Sequence, residues 1–178
     1  MQDLQFARTL TSKPNTNSSV LGIWLFPITK PLKKITPIEE KWANTLPVRK
    51  QSEYKYSRAY ARLALSTLFG IEPLKIPLFA PPGKPPKLAK GWGYMNLSHC
   101  NNALLIGWSS KKIGVDIENA NRSFNAIKLA ERICSTKENK LIKDLEIEEI
   151  RKIVLSRWIA KEAAFKWQQG VLYKDLNQ

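Results

Sequence analysis

The chain has 178 residues, 43% hydrophobic and 25% charged, with 29 Lys and Arg against 15 Asp and Glu, a formal net charge of +14. This composition describes a globular protein, one domain or two small lobes sharing a core, and excludes a disordered or fibrous chain. The surplus of cations predicts an acidic partner: nucleic acid, anionic membrane, phosphorylated small molecule or acidic protein.

No apolar run approaches the roughly 18 residues of a membrane span, and the polar start Met1 to Asn17 lacks the apolar core of a signal peptide, so a soluble, cytoplasmic protein is expected. Cys100, Cys134 and a single histidine, His99, support neither a zinc site nor a disulfide framework. Residues 1 to 18 read as a loose polar arm, and Val20 to Ile28, rich in branched and aromatic residues, as the first strand. Thr36-Pro37-Ile38-Glu39 has the capping-box spacing with proline at the first helical position, which predicts a short helix to about Leu46. A longer helix from about Gln51 to Phe69 is closed by Gly70. Arg58 and Arg62, four apart on one face of it, are spaced to grip a phosphate, although two such arginines are most often plain surface.

Between Ile71 and Trp92 the proline- and glycine-rich segment around Pro81-Pro82-Gly83-Lys84-Pro85-Pro86 cannot sit inside a sheet and reads as an ordered loop or a lobe connection. A short strand, Gly93 to Leu97, is expected next. Ala103 to Trp108 and Ile113 to Glu118 then form a predicted hairpin about Ser109 to Lys112. The remainder is helical: Phe124 to Ile133, a segment opened by the capping box Ser135-Thr136-Lys137-Glu138, and Ile147 to Gln169 with Gly170 as the stop.

Two stretches carry the chemistry. In Ile113-Gly114-Val115-Asp116-Ile117-Glu118 the apolar residues alternate with Asp116 and Glu118, so on a strand both carboxylates share one face, and oxygen donors suit a hard cation such as Mg²⁺. In the final helix Ile147, Ile150, Val154, Trp158 and Phe165 form the predicted buried stripe, with Lys161 and Glu162 at its edges. A carboxylate there could supply a third ligand or a base. Taken singly, an Asp-x-Glu strand is most often a solvated edge and a Lys-Glu pair is most often surface.

In order and spacing, Gly83-Lys84-Pro85, Asn96-Leu97-Ser98-His99, Gly114-Val115-Asp116-Ile117-Glu118, Ser135-x-x-Glu138 and Trp158-x-x-Lys161-Glu162-Ala163-x-x-Lys166 together resemble the 4′-phosphopantetheinyl transferases of the surfactin-synthetase-activating, two-lobed type. About a hundred residues precede the Asp-bearing stretch, unlike the short holo-acyl-carrier-protein synthases. The resemblance implies an α+β fold of two lobes related by a pseudo-two-fold, each a small antiparallel sheet packed on a long helix, spanning 1–102 and 103–178. Since relatives continue with further strands after the long helix, the second lobe is expected to be abbreviated at its C-terminus.

The implied reaction is Mg²⁺-dependent transfer of phosphopantetheine from coenzyme A to a serine of an acidic acyl or peptidyl carrier protein, leaving 3′,5′-adenosine bisphosphate. By matching position, Asp116, Glu118 and Glu162 would hold the metal. Glu162, or a water on the metal, would deprotonate the serine, and Lys161 would neutralise the pyrophosphate. Ser98 and His99 would contact coenzyme A phosphates, Gly83, Lys84 and Pro85 would cradle the adenine, and Arg62 with Arg58 would take the 3′-phosphate. Trp158 and Lys166 would be mainly structural, with Lys166 facing the pocket as well. A monomer is expected, without membrane or nucleic-acid partners. The rival readings are a basic nucleic-acid-binding module, whose six Trp could stack on bases, and an inactive relative that binds coenzyme A or carrier.

Overall fold

The structure is a computed structural model in which residues 21–28 and 31–168 are described. The polar arm predicted for residues 1–18 and the helix stop at Gly170 lie outside them. Helix α1, Pro37–Asn44, starts as its sequence dictates: Thr36 Oγ1 accepts from the Glu39 amide while the Glu39 carboxylate accepts from the Thr36 amide at 2.9 Å. Helix α2, Val48–Phe69, stops at Gly70, whose φ of 66° is the left-handed conformation that glycine adopts without a side-chain clash. The proline-rich segment is more regular than its composition suggested. Strands β2 (Leu78–Phe79) and β3 (Lys87–Leu88) pair across it as a short antiparallel ribbon.

The main sheet is antiparallel with order β1-β5-β4, formed by Leu21–Pro27, Ala103–Ser109 and Tyr94–Cys100. Alternation gives it two different faces. Trp24, Met95, Leu104, Ile106 and Trp108 point toward α2 and form one apolar core with Tyr56, Tyr60, Ala64 and Leu65. On the other face, Leu21, Ile23 and Leu25 are exposed.

The predicted pairing of Ala103–Trp108 with Ile113–Glu118 is corrected here. The neighbour of β5 is β4, joined to it at Asn101 and Asn102, and residues 113–118 make no strand ladder among the described residues. They are held by side-chain packing: a Cβ on Gly107 of β5 would lie 2.6 Å from Val115 Cγ1 and 2.9 Å from Ile113 Cδ1. The missing side chain at Gly107 is what lets this segment lie flat on the second face of the sheet.

Three helices complete the described chain: α3, Ala126–Ile133, capped by Asn125; α4, Thr136–Ile142, opened by the predicted Ser135/Glu138 capping box; and α5, Ile147–Trp167. Ala126, Ala130, Ile133, Ile142, Ile150 and Val154 form a second apolar cluster, with Trp158 packed at its border. The predicted stripe on α5 needs one correction, since Ile147, in the first turn, is exposed and Leu155 is buried instead. The architecture is α+β, and its two apolar clusters fall in residues 24–108 and 124–158. A division after residue 102 would pass through the β4–β5 turn. No described helix is long and apolar enough to cross a membrane.

Candidate active site

The site is assembled by one close approach. Gly114 lies against α5 so tightly that a Cβ there would sit 1.9 Å from the Ala163 carbonyl oxygen and 2.5 Å from the Trp167 amide nitrogen. Any larger residue would push the segment off the helix. With Gly107 behind it and Gly114 in front, the extended 113–118 segment is clamped between sheet and helix, which sets Asp116 over the last turn of α5.

There Lys166 Nζ donates to Asp116 Oδ1 at 2.6 Å and to Ser98 Oγ at 2.8 Å, and Ser98 Oγ donates to Asp116 Oδ1 at 2.6 Å. Three residues from β4, the clamped segment and α5 thus close a triangle. Such charge-assisted contacts are short and strong. Glu162, one turn before Lys166 and half-buried, joins their field. Desolvation raises its pKa above the ordinary carboxylate value of 4.5, and repulsion from Asp116 raises it further, while Lys166 pulls it down.

The expected site residues separate into those gathered here and those placed elsewhere. Asp116, Glu162, Ser98 and Lys166 are together, so Lys166 stands in the centre of the site. Glu118 points away, accepting from the Asn119 amide at 2.9 Å and from the Arg122 guanidinium. Lys161 donates to the Ile133 carbonyl at the end of α3 and lies 3.9 Å from Glu138, where it ties α5 to α3 and α4. His99 follows Ser98 on β4 and therefore projects to the opposite face, where it pairs with Glu53 of α2 at 2.8 Å.

Arg58 and Arg62 are inside the first core. Arg62 donates to both oxygens of the fully buried Glu39 at 2.9 to 3.1 Å, to the Ile76 carbonyl at 2.7 Å, and to those of Pro73 and Leu78. Arg58 bonds the Ala80 carbonyl and Ser57 Oγ, both at 3.0 Å, and lies 4.4 Å over the Tyr54 ring. All three guanidinium nitrogens of Arg62, and Nε and Nη1 of Arg58, are engaged by the protein itself. Gly83 takes the positive φ of 71° in an exposed turn with Lys84, and Pro85 borders a cavity of about 270 Å³ together with Lys87, Asn96, Lys112 and Trp167.

Among the described residues no three His, Cys, Asp or Glu side chains converge on a possible metal position. The carboxylates that do share a field are two, Asp116 and Glu162. Mg²⁺ is commonly held by one or two carboxylates together with substrate phosphate oxygens and water, so this pair fits it. A second cavity, of about 610 Å³, is lined by Glu118, His99, Asn101, Tyr56, Ser57, Glu53 and Lys50 among others. Lys50, Glu53 and Arg122 escaped the sequence reading: Lys50 and Glu53 are a local i,i+3 pair of α2 whose link to His99 comes from β4, and Arg122 reaches Glu118 across a non-helical turn.

A carboxylate pair with an ammonium and a hydroxyl is suited to phosphoryl-type group transfer. Sequence comparison points to a family. Residues 112–178 match the sequence model of the 4′-phosphopantetheinyl transferase superfamily. The chain is 28% identical over 166 residues to a Synechocystis protein provisionally named a 4′-phosphopantetheinyl transferase, covering 88% of this chain and 68% of that one. It is 30% identical over 114 residues to the 4′-phosphopantetheinyl transferase HetI of Nostoc, covering 61% of this chain and 48% of HetI. The chain therefore spans about two thirds of the length of one relative and about half of the other.

Proposed function

We propose that this protein moves the 4′-phosphopantetheine group of coenzyme A to the hydroxyl of a serine on an acidic carrier protein. The observation that carries the reading is the Ser98–Asp116–Lys166 triangle with Glu162 beside it, of which Asp116, Glu162 and Lys166 lie in the segment that matches the transferase superfamily. In the reaction the serine oxygen forms a bond to the phosphorus next to pantetheine, the bond from that phosphorus to the bridging oxygen breaks, and 3′,5′-adenosine bisphosphate leaves. Glu162, already displaced toward proton uptake by burial and by Asp116, takes the proton of the attacking hydroxyl. Lys166 offers its ammonium to the charge that gathers on the phosphate oxygens, and Ser98 and Asp116 hold that ammonium in position. Mg²⁺, held by Asp116 and Glu162, would add charge neutralisation at the pyrophosphate.

The remaining roles follow the same reading. The pyrophosphate approaches along the cavity between Glu118 and His99, and the surplus of 29 basic over 15 acidic residues steers both the phosphorylated donor and an acidic carrier. The two-lobed organisation is supported by the separate apolar clusters on either side of the site.

The test is intact-mass spectrometry of an apo carrier protein incubated with this protein, coenzyme A and Mg²⁺, beside a chelator control. A gain of one phosphopantetheine that the chelator removes is expected. A carrier of unchanged mass, in several carriers and with folded protein, would overturn the reading.

A further inference from the structure

On the α2 wall of the 610 Å³ cavity, an ammonium and an imidazole share one carboxylate. Glu53 of α2 accepts from Lys50 Nζ at 3.1 and 2.8 Å, and its Oε1 lies 2.8 Å from His99 Nε2. Two other polar side chains of α2 at this wall are tied to backbone carbonyls. Tyr56 donates to the Pro27 carbonyl at 2.6 Å, and Ser57 donates to the Tyr54 carbonyl at 2.9 Å. Lys50, Glu53 and His99 have half-exposed side chains, and ion pairs at such sites contribute little to stability. What Glu53 does change is the charge presented to the cavity. It fills with protein carboxylate the place between an ammonium and an imidazole where an anionic group of a ligand would otherwise be held.

We propose that Glu53 is an internal substitute anion: it occupies the Lys50/His99 pair in the empty protein and must give up both when a phosphate of the donor enters, so that it sets donor affinity. The inference rests on the transfer reading, which requires a ligand with two separated phosphate groups. Coenzyme A has them in its pyrophosphate and its 3′-phosphate. With the pyrophosphate on the Glu118 side of the cavity, the 3′-phosphate falls to Lys50 and His99. Because the displaced carboxylate stays nearby and repels the incoming phosphate, binding is weaker than Lys50 and His99 alone would give, and the donor exchanges more readily.

The chain contains a single histidine, so the His99 ring gives one assignable NMR signal. Titration of the wild-type protein and of Glu53→Gln with 3′,5′-adenosine bisphosphate should move that signal in both. Half-saturation should come at a roughly threefold to tenfold lower concentration in the variant. Equal or weaker binding by Glu53→Gln would overturn the inference. So would a His99 signal that coenzyme A leaves unmoved in a protein that still transfers phosphopantetheine, an outcome that spares the transfer reading. If the protein neither transfers nor binds coenzyme A, the transfer reading falls, and inorganic pyrophosphate decides the rest. A His99 shift at lower pyrophosphate concentration in Glu53→Gln supports the substitute-anion role, and no shift in either protein ends it.

Discussion

Two cation–carboxylate pairs in this protein look alike in sequence and differ in kind. Arg62 and Glu39 are both fully enclosed, with side chains 3% and 1% exposed, and the pair is saturated by three carbonyls and the α1 capping box. Lys166 and Asp116 are 26% and 9% exposed and are joined only by a serine hydroxyl, with Glu162 nearby in the same field. The first pair has no donor left to offer a ligand. The second can exchange its partners for substrate oxygens at small structural cost. Saturation separates structural from functional charge here.

Breaking the first pair should have the largest effect on folding. Arg62→Ala strands the Glu39 carboxylate without its cation in the core, and should cost about 3–5 kcal/mol in urea or thermal unfolding. A near-normal melting temperature would remove the contrast. The matching change in the second pair, Lys166→Ala, should cost under about 1 kcal/mol of stability. Transfer should nonetheless fall roughly a hundredfold to a thousandfold, measured as 3′,5′-adenosine bisphosphate released per minute.

Gly114→Ala sharpens the comparison from the other side. Its Cβ would collide with the Ala163 carbonyl, so stability should drop by about 1–3 kcal/mol and transfer should fall as Asp116 is displaced from Lys166. A loss of stability with full activity would mean that the clamp does not place Asp116.

The smallest effect concerns the α4 cap. The Ser135 amide, first of several causes, holds the Glu138 carboxyl below its usual value of 4.5. A carboxylate whose folded pKa is depressed contributes stability above its ordinary pKa and loses it as pH falls through the folded one. Glu138→Gln should therefore lower stability at neutral pH by under about 1 kcal/mol, a difference that closes on acidification below the usual carboxylate range. A gap that persists in acid would assign the effect to shape and not to charge.

The helices were legible because their signals are local. Thr36 with Glu39 and Ser135 with Glu138 announce helix starts, and Gly70 announces a stop, with no help from distant residues. Ile113 to Glu118 misled for the opposite reason. Its alternation is that of a strand, but a ladder needs a neighbour, and β5 is already paired on both edges by β1 and β4. Position along the motifs located Asp116, Glu162 and Ser98, whereas the central place of Lys166 and the turning away of Glu118 depend on Arg122 and on the face of α5. The burial of Arg62 could not be read from its i,i+4 spacing with Arg58, since nothing local distinguishes a phosphate grip from a core ion pair.

The most direct measurement is release of 3′,5′-adenosine bisphosphate from coenzyme A and apo carrier by Asp116→Asn beside wild type, with unfolding of both followed by circular dichroism. The Ser98–Asp116–Lys166 assignment predicts product at background level in a variant that melts near the wild-type temperature. Release at the wild-type rate by the folded variant would contradict it.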